Sequence, residues 1–388
     1  MGSVKVSIGK GALASTLATN DGIAGFMMTG VAEGSIVLGT PFLVNSMTDV
    51  TTAGMTVTNN AFAYNQLQQL YNELNAFGIS SAPVYVLLVA NTMKINQMAD
   101  RTNANGCLQL MTASGNTLSM IALLGNDTLI YPGGTGLVTT AGINADVYTA
   151  ITNAQALVNQ CQTAQTPIRM ILGGTSFTGT ASALTDQTTS ANNGVMVLIG
   201  DTASGNSAAV GLLLGREIAN PVQRKPGRVK DGAISSATAF IGSTTASQYT
   251  STSTITAKGF ITFQIYPNKS GFYFTEDLTC TATTDDYKYF ALGRIVDKAQ
   301  KVAYAYFVNE VDDEVPNTGG IIDAGFATTL QQGITNTLNA NMTSVGNITA
   351  ASAFISTTQN VSSTGKVAVV LKVTPPGYAT EIDILLGF

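Results

Sequence analysis

The sequence predicts a mixed α/β and α+β protein of two domains, with an extended β-strand at each end of the chain. Three observations carry that prediction. Four short apolar runs alternate with amphipathic segments in the first half, as expected for strands buried on both faces of a largely parallel sheet with helices over it. The second half reads as strands, then helices, then strands. Both ends alternate apolar and polar residues with a period of two, the mark of a strand with one buried face.

The elements follow in order. In "SVKVSIG", Val4, Val6 and Ile8 share a face against Ser3, Lys5 and Ser7. Short apolar runs come at Phe26–Met28 and Ile36–Leu38. "NNAFAYNQLQQLYNELNAFG" is an amphipathic helix, with Phe62, Leu67, Leu70, Tyr71, Leu74 and Phe77 at three- and four-residue spacing and Gly78 as its stop. "APVYVLLVA" and "SMIALLG" are buried strands. A second helix, "NADVYTAITNAQALVNQCQTAQT", turns Val147, Ile151, Ala154, Leu157, Val158 and Cys161 inward. "PIRMILGG" and "GVMVLIGD" are two more strands, and "GNSAAVGLLLGREIANP" is a small-residue helix closed by Pro221.

Composition shifts at "VQRKPGRVKDGAISS", and we place a domain boundary near residue 225. "STSTITAKGFITFQIYPNKSGFYFTED" reads as strands around a turn at "PNKSG". "DDYKYFALGRIVDKAQKVAYAYFVNEVDD" and "GIIDAGFATTLQQGITNTLNANMTS" are helices. Two strands finish the chain: Val367, Val369, Leu371 and Val373 form the apolar face of the first. Ile382, Ile384, Leu386 and Phe388 form that of the second.

Composition excludes several kinds of chemistry. The 388 residues include no His and only 11% charged residues, with a net charge of -5. Without imidazole there is no Ser-His-Asp or Cys-His engine and no histidine zinc site. The acidic balance gives no nucleic-acid footprint. Cys107, Cys161 and Cys280 are widely spaced and read as buried reduced thiols. The longest apolar stretch carries Glu33 and several glycines, so no membrane insertion is expected, and no targeting segment is evident.

Candidate motifs fare no better as catalysts. No Gly-Lys-Ser/Thr loop and no Gly-x-Ser-x-Gly elbow is present. "YPGGTG" and "LGGTS", around Gly133 and Gly173, follow strands and read as ordinary turns. Asp285-Asp286 stands where a helix starts and suits its dipole, whereas Asp312-Asp313-Glu314 sits in a loop. Asp49, Asp127 and Asp201 lack metal-ligand spacing. Arg224, Lys225, Arg228 and Lys230, without interleaved aromatics, read as salt-bridge formers. The reading is therefore of a non-enzyme without catalytic, cofactor or metal residues.

The second half resembles the contractile tail sheath proteins of myophage tails, R-type pyocins and contractile injection systems, as a divergent short member. The resemblance runs through "GREIANPVQRKPGRVKDGAI", "TAKGFITFQIYPNKSGFYFTEDLT", "DYKYFALGRIVDKAQKVAYAYF" and the closing "VAVVLKVTPPGYATEIDIL". "DGIAGFMMTG" and "GTPFLVNS" look like the start of the sheath N-terminal region. An aromatic-Gly-Ala-Arg-Thr string common in the family is replaced here by "GFYFTEDLT", with Arg294 later, inside the helix.

The resemblance implies a layout. Residues 1–20 are a strand arm, 21–225 an outer α/β domain, 226–364 an inner, tube-facing assembly domain and 365–388 a second strand arm. It implies that Val4, Val6, Ile8, Val367, Val369, Leu371, Val373, Ile382, Ile384 and Leu386 reach neighbouring subunits by strand addition. It also implies a tube-facing helix, for which Gln331, Gln332, Asn336 and Asn339 form one candidate face. Arg294, Lys298 and Lys301 form the other, or are left to intersubunit salt bridges. The implied partners are the chain itself in a six-fold helical array, an inner tube protein, and baseplate and tail-terminator proteins. Assembly is expected in the bacterial cytoplasm, in a phage tail or injection particle, with no cofactor. Two other readings stay open: a capsid or surface-layer lattice protein, and a nucleotide- or sugar-binding α/β enzyme using the glycine loops.

Overall fold

Ala24–Gly30 is buried on both faces, as expected of a strand in a parallel sheet covered by helices on both sides. In the computed structural model, which describes residues 21–380, one six-stranded sheet comprises β1 (Ala24–Gly30), β2 (Phe42–Val44), β3 (Val84–Ala90), β4 (Met120–Leu124), β5 (Arg169–Gly173) and β6 (Val195–Leu198). Their order is β2-β3-β1-β4-β5-β6, parallel throughout except for the antiparallel edge strand β2. The four apolar runs expected as buried strands are β3 to β6. The run at Ile36–Leu38 is not a strand: it makes a single bridge, Glu33 to Ile36, burying Ile36 and leaving Val37 60% exposed.

Helices α1 (Ala61–Ala76), α2 (Ala145–Thr163) and α3 (Val210–Ala219) match their apolar periodicity, and every inward residue expected of α2 is buried. Helices α1 and α3 meet backbone to backbone. Gly211 and Gly215, four apart, bring α3 against Gln66 and Leu70, and a Cβ on Gly215 would lie 2.5 Å from the Leu70 carbonyl oxygen. The buried Gln66 closes this contact, accepting from the Gly211 N–H at 2.8 Å and donating to the Ala208 carbonyl at 3.1 Å. Side-chain capping of a helix end thus comes from another helix.

The described residues form two compact units, one ending at Asp297 and the other beginning at Lys298. The break expected near residue 225 does not separate them. Beyond Pro221 the chain stays in the first unit because its charges and backbone are used there. Arg224 and Arg228 pair with Asp231, and Lys225 pairs with Asp277. Ile261 extends the edge of β6, its N–H reaching the Val197 carbonyl at 2.9 Å. Within this stretch Thr252–Ala257 is a helix, not the strand its β-branched residues suggest; burial of Ile255 and the stop at Gly259 (φ +82) override propensity. Cys107, Cys161 and Cys280 are buried free thiols, and burial pushes the Cys107 thiol up to about 12.

Helix α4 (Phe290–Phe307) begins in the first unit and ends in the second. The second unit holds α5 (Ala324–Leu338), opened by Asp323, whose carboxylate accepts from the Phe326 N–H at 2.8 Å. It also holds a hairpin of β7 (Ala350–Ile355) and β8 (Val369–Thr374). Ile322, Ala327, Leu330, Ile355 and Val361 are its core, with Tyr306, Phe326, Val367 and Val369 packed against them.

Candidate assembly surfaces

The hairpin of the second unit has one buried and one bare face. Ala351, Ala353 and Ile355 stand opposite Val373, Leu371 and Val369 on the inner face. On the outer face Phe354 pairs with Val370, and Ser352 with Lys372. Phe354 is 59% and Val370 47% exposed, so a cross-strand apolar pair faces solvent. Among the described residues no third strand joins this sheet.

The pairing corrects one expectation. Val369, Leu371 and Val373 were expected to leave the subunit on an arm; they lie in an intramolecular strand, and Val367 packs on the same core. The reason is their partner strand, "AASAFI", whose apolar residues fall on both faces and so carry no period-two signal. Val4, Val6, Ile8, Ile382, Ile384 and Leu386 lie outside the described residues.

Helix α5 divides its amides between two tasks. Gln331 is half-buried, and its Oε1 accepts from the Ile355 N–H at 2.6 Å, tying the helix to β7. Asn339 is half-buried and accepts from the Thr343 hydroxyl at 3.0 Å. Gln332 and Asn336, four residues apart, are exposed beside Thr328 and Thr329. The outward face is uncharged, hydroxyl and amide.

The basic candidates are placed otherwise. Arg294 is 3% exposed, with Nη1 donating to Glu217 at 2.6 Å and Nη2 to the Asn220 carbonyl at 3.3 Å. Its charge is met inside the first unit by Glu217. Lys298 is 8% exposed and Lys301 half-buried, so the three do not present a basic stripe to solvent.

Arg294 belongs to a set of buried ion pairs that roots α4. Arg169 grips Asp297 with two parallel hydrogen bonds of 2.6 and 2.8 Å, and donates further to the carbonyls of Asn193 (2.9 Å) and Gly293 (3.3 Å). Gly293 makes room for the guanidinium, since a Cβ there would lie 2.5 Å from Arg169 Cζ. Asp277 caps the helix: its carbonyl accepts from Phe290 N–H at 2.8 Å and its carboxylate from Ala291 N–H at 2.9 Å. The helix therefore starts at Phe290, and Asp285, expected at its start, instead closes a turn onto the Tyr287 N–H. A further pair joins Arg216 to Glu73, with Arg216 also donating to the Ala233 carbonyl at 2.9 Å. Burial raises the Glu217 carboxyl to about 7, opposed by Arg294 and reinforced by the like charge of Asp277. Burial likewise raises Asp277, opposed by Lys225. Sequence reasoning missed Arg169, Glu73, Asp277 and Asp297; the available signal was an arginine opening an apolar strand and a glutamate among the apolar positions of a helix.

The glycine loops form no ligand cradle. Gly133 is in an exposed turn, while Gly173 and Gly174 are buried, and a Cβ on Gly174 would lie 2.7 Å from Ile199. Among the described residues no helix is long and apolar enough to cross a membrane.

Comparison with known proteins bears on these surfaces. The family described as "DUF2586, N-terminal domain" matches residues 1–277, and "DUF2586, C-terminal domain" matches residues 286–388. No curated protein matches the chain. Among solved structures, the anti-feeding prophage helical sheath in its contracted state superposes with a TM-score of 0.66 at 13% identity, covering 100% of this chain and 97% of that one. The sheath complex of an extracellular contractile injection system, PVC, in the contracted state gives 0.61 at 14% identity, covering 100% and 97%. The sheath tail protein from Desulfitobacterium hafniense gives 0.52 at 10% identity, covering 96% and 100%. At these identities the likeness establishes the fold.

Proposed function

The chain belongs to the DUF2586 family, and from that premise we propose that it is the structural subunit of a contractile sheath, a helical cylinder around an inner tube. The carrying observation is the extent of the fold likeness: all of this chain and 97% of the anti-feeding prophage sheath chain are superposed, with no large remainder on either side.

The hairpin supplies the assembly logic. A two-stranded sheet with a bare apolar pair is marginal alone and gains by accepting strands. The segments carrying Val4, Val6 and Ile8, and Ile382, Ile384 and Leu386, are the donors in this reading. They add to hairpins of neighbouring copies and cover Phe354 and Val370. The donor arm at the C-terminal end thus starts after Thr374 instead of at residue 365. Backbone hydrogen bonds tether neighbours while the subunit bodies rotate, and the side-chain period of two sets the register. Contraction is then a passage from a metastable to a more stable lattice and needs no nucleotide or metal.

The outward amide face of α5, Gln332 and Asn336, is the tube contact in this reading. Polar contacts exchange readily for water, which suits a grip that must release. A six-fold array, a baseplate and a terminator at the ends, and assembly in the bacterial cytoplasm belong to the same proposal.

Co-expression of the chain with its inner tube protein, followed by negative-stain electron microscopy, is the test. Striated hollow cylinders are expected. Flat sheets or closed shells favour a surface-layer or capsid subunit, and dispersed monomers at high concentration refute assembly altogether.

A further inference from the structure

The first unit contains a polar cleft that neither the fold likeness nor the assembly reading uses. It lies between α1 and the loop after β6 and has a volume of about 330 Å³. One wall is the face of α1 that carries Phe62, Asn65, Gln69 and Asn72; the other is the loop after β6, with Asp201 and Thr202. Asn65, Gln69 and Asn72 sit at positions i, i+4 and i+7, so three amides are stacked along one helical face.

The lining is chemically selective. It contains no Lys or Arg and a single charged residue, Asp201. Anionic ligands therefore meet no counter-charge and a carboxylate. Asp201 is 9% exposed and rigidly held: its backbone exchanges hydrogen bonds with Phe240 at 3.0 and 2.7 Å, and its Oδ1 accepts from the Thr202 N–H at 2.7 Å. Gln69 is also fixed, its Nε2 donating across the cleft to the Thr202 hydroxyl at 2.9 Å. That bond orients the amide at the cleft wall. Burial raises the Asp201 carboxyl, opposed by the hydrogen bonds from Thr202 and Gln69.

We propose that this cleft binds a neutral polyhydroxylated ligand, a saccharide unit. Each amide offers a donor and an acceptor side by side, and a carboxylate accepts at two oxygens, so vicinal hydroxyls are matched in pairs. Phe62 supplies an apolar surface for the C–H face of a sugar ring. The preorganised Gln69 and Asp201 limit the entropy lost on binding. The site lies within one unit and is independent of whether the chain forms a sheath.

Isothermal titration of the full chain with methyl glucoside, methyl galactoside and N-acetylglucosamine, with glucose 6-phosphate as the anionic control, tests the assignment. Saturable binding of at least one neutral sugar is expected, with the phosphate at least tenfold weaker. The double variant Asn65→Ala/Asn72→Ala changes only exposed helix positions and keeps the fold, so its binding loss reads the site directly. It is expected to weaken binding at least tenfold, as is Asp201→Asn. No saturable binding of any sugar into the tens of millimolar overturns the proposal. So does binding that prefers the phosphate, or binding unmoved by the double variant.

Discussion

Replacing Arg169 with methionine isolates what a buried charge does to the root of α4. The side chain is 1% exposed, and its partner Asp297 is 5% exposed. Methionine fills much of the same volume but leaves the Asp297 carboxylate buried, along with the Asn193 and Gly293 carbonyls that Arg169 had satisfied. Breaking one side of a buried pair typically costs about 3–5 kcal/mol, because the remaining charge is uncompensated. Arg169→Met should therefore fall in that range, lowering the melting temperature by roughly 5–15 °C in a domain of this size. The companion change Asp297→Leu should cost a similar amount by stranding the guanidinium. Making both removes both charges, and the double variant should recover about half or more of the summed loss. The assay is a double-mutant cycle by thermal and urea unfolding, followed by circular dichroism. If Arg169→Met costs less than about 1 kcal/mol, the bidentate pair is not closed to water. If the double variant loses the full sum, the stranded charge is not the source of the penalty.

Gly293→Ala should destabilise the protein even though alanine is the better helix former by about 1 kcal/mol, because the new methyl would lie 2.5 Å from Arg169 Cζ; a stabilised variant in the same melts refutes the close approach. Glu217 is raised from its ordinary 4.5 to about 7, so between those values the folded state holds the proton that the unfolded state has lost. Its contribution to stability therefore falls as pH rises through that window, and Glu217→Gln should flatten the slope of stability against pH there in urea titrations, whatever it does to stability itself. Phe354→Ser/Val370→Ser alters only an exposed pair and should leave the monomer's melting curve within about 0.5 kcal/mol of wild type, while abolishing cylinders in negative stain. Cylinders that persist with the double variant remove the outer face of the hairpin from the assembly reading.

Much of the sheet and the long helices was legible in the residue order. A strand in a sheet covered on both faces must be apolar on both faces, and β3 to β6 announce themselves that way. Helices α1 and α2 advertise one buried stripe. The split of α5 into an outward pair, Gln332 and Asn336, and an inward tie, Gln331, was not legible, because identical amides gain their meaning from what stands opposite.

The same holds for the strand at Val369–Thr374. Its alternation is plain in the sequence, but alternation specifies a buried face and says nothing of which chain supplies the neighbour. Only the register with Ala350–Ile355 made it intramolecular. Long-range charge pairing was the least accessible. Arg169 and Asp297 are 128 positions apart, and Arg216 and Glu73 are 143 apart. Local pattern fixes which face of an element is apolar, since periodicity is a property of the backbone. Which buried charges meet depends on how elements pack, and no local period carries that information.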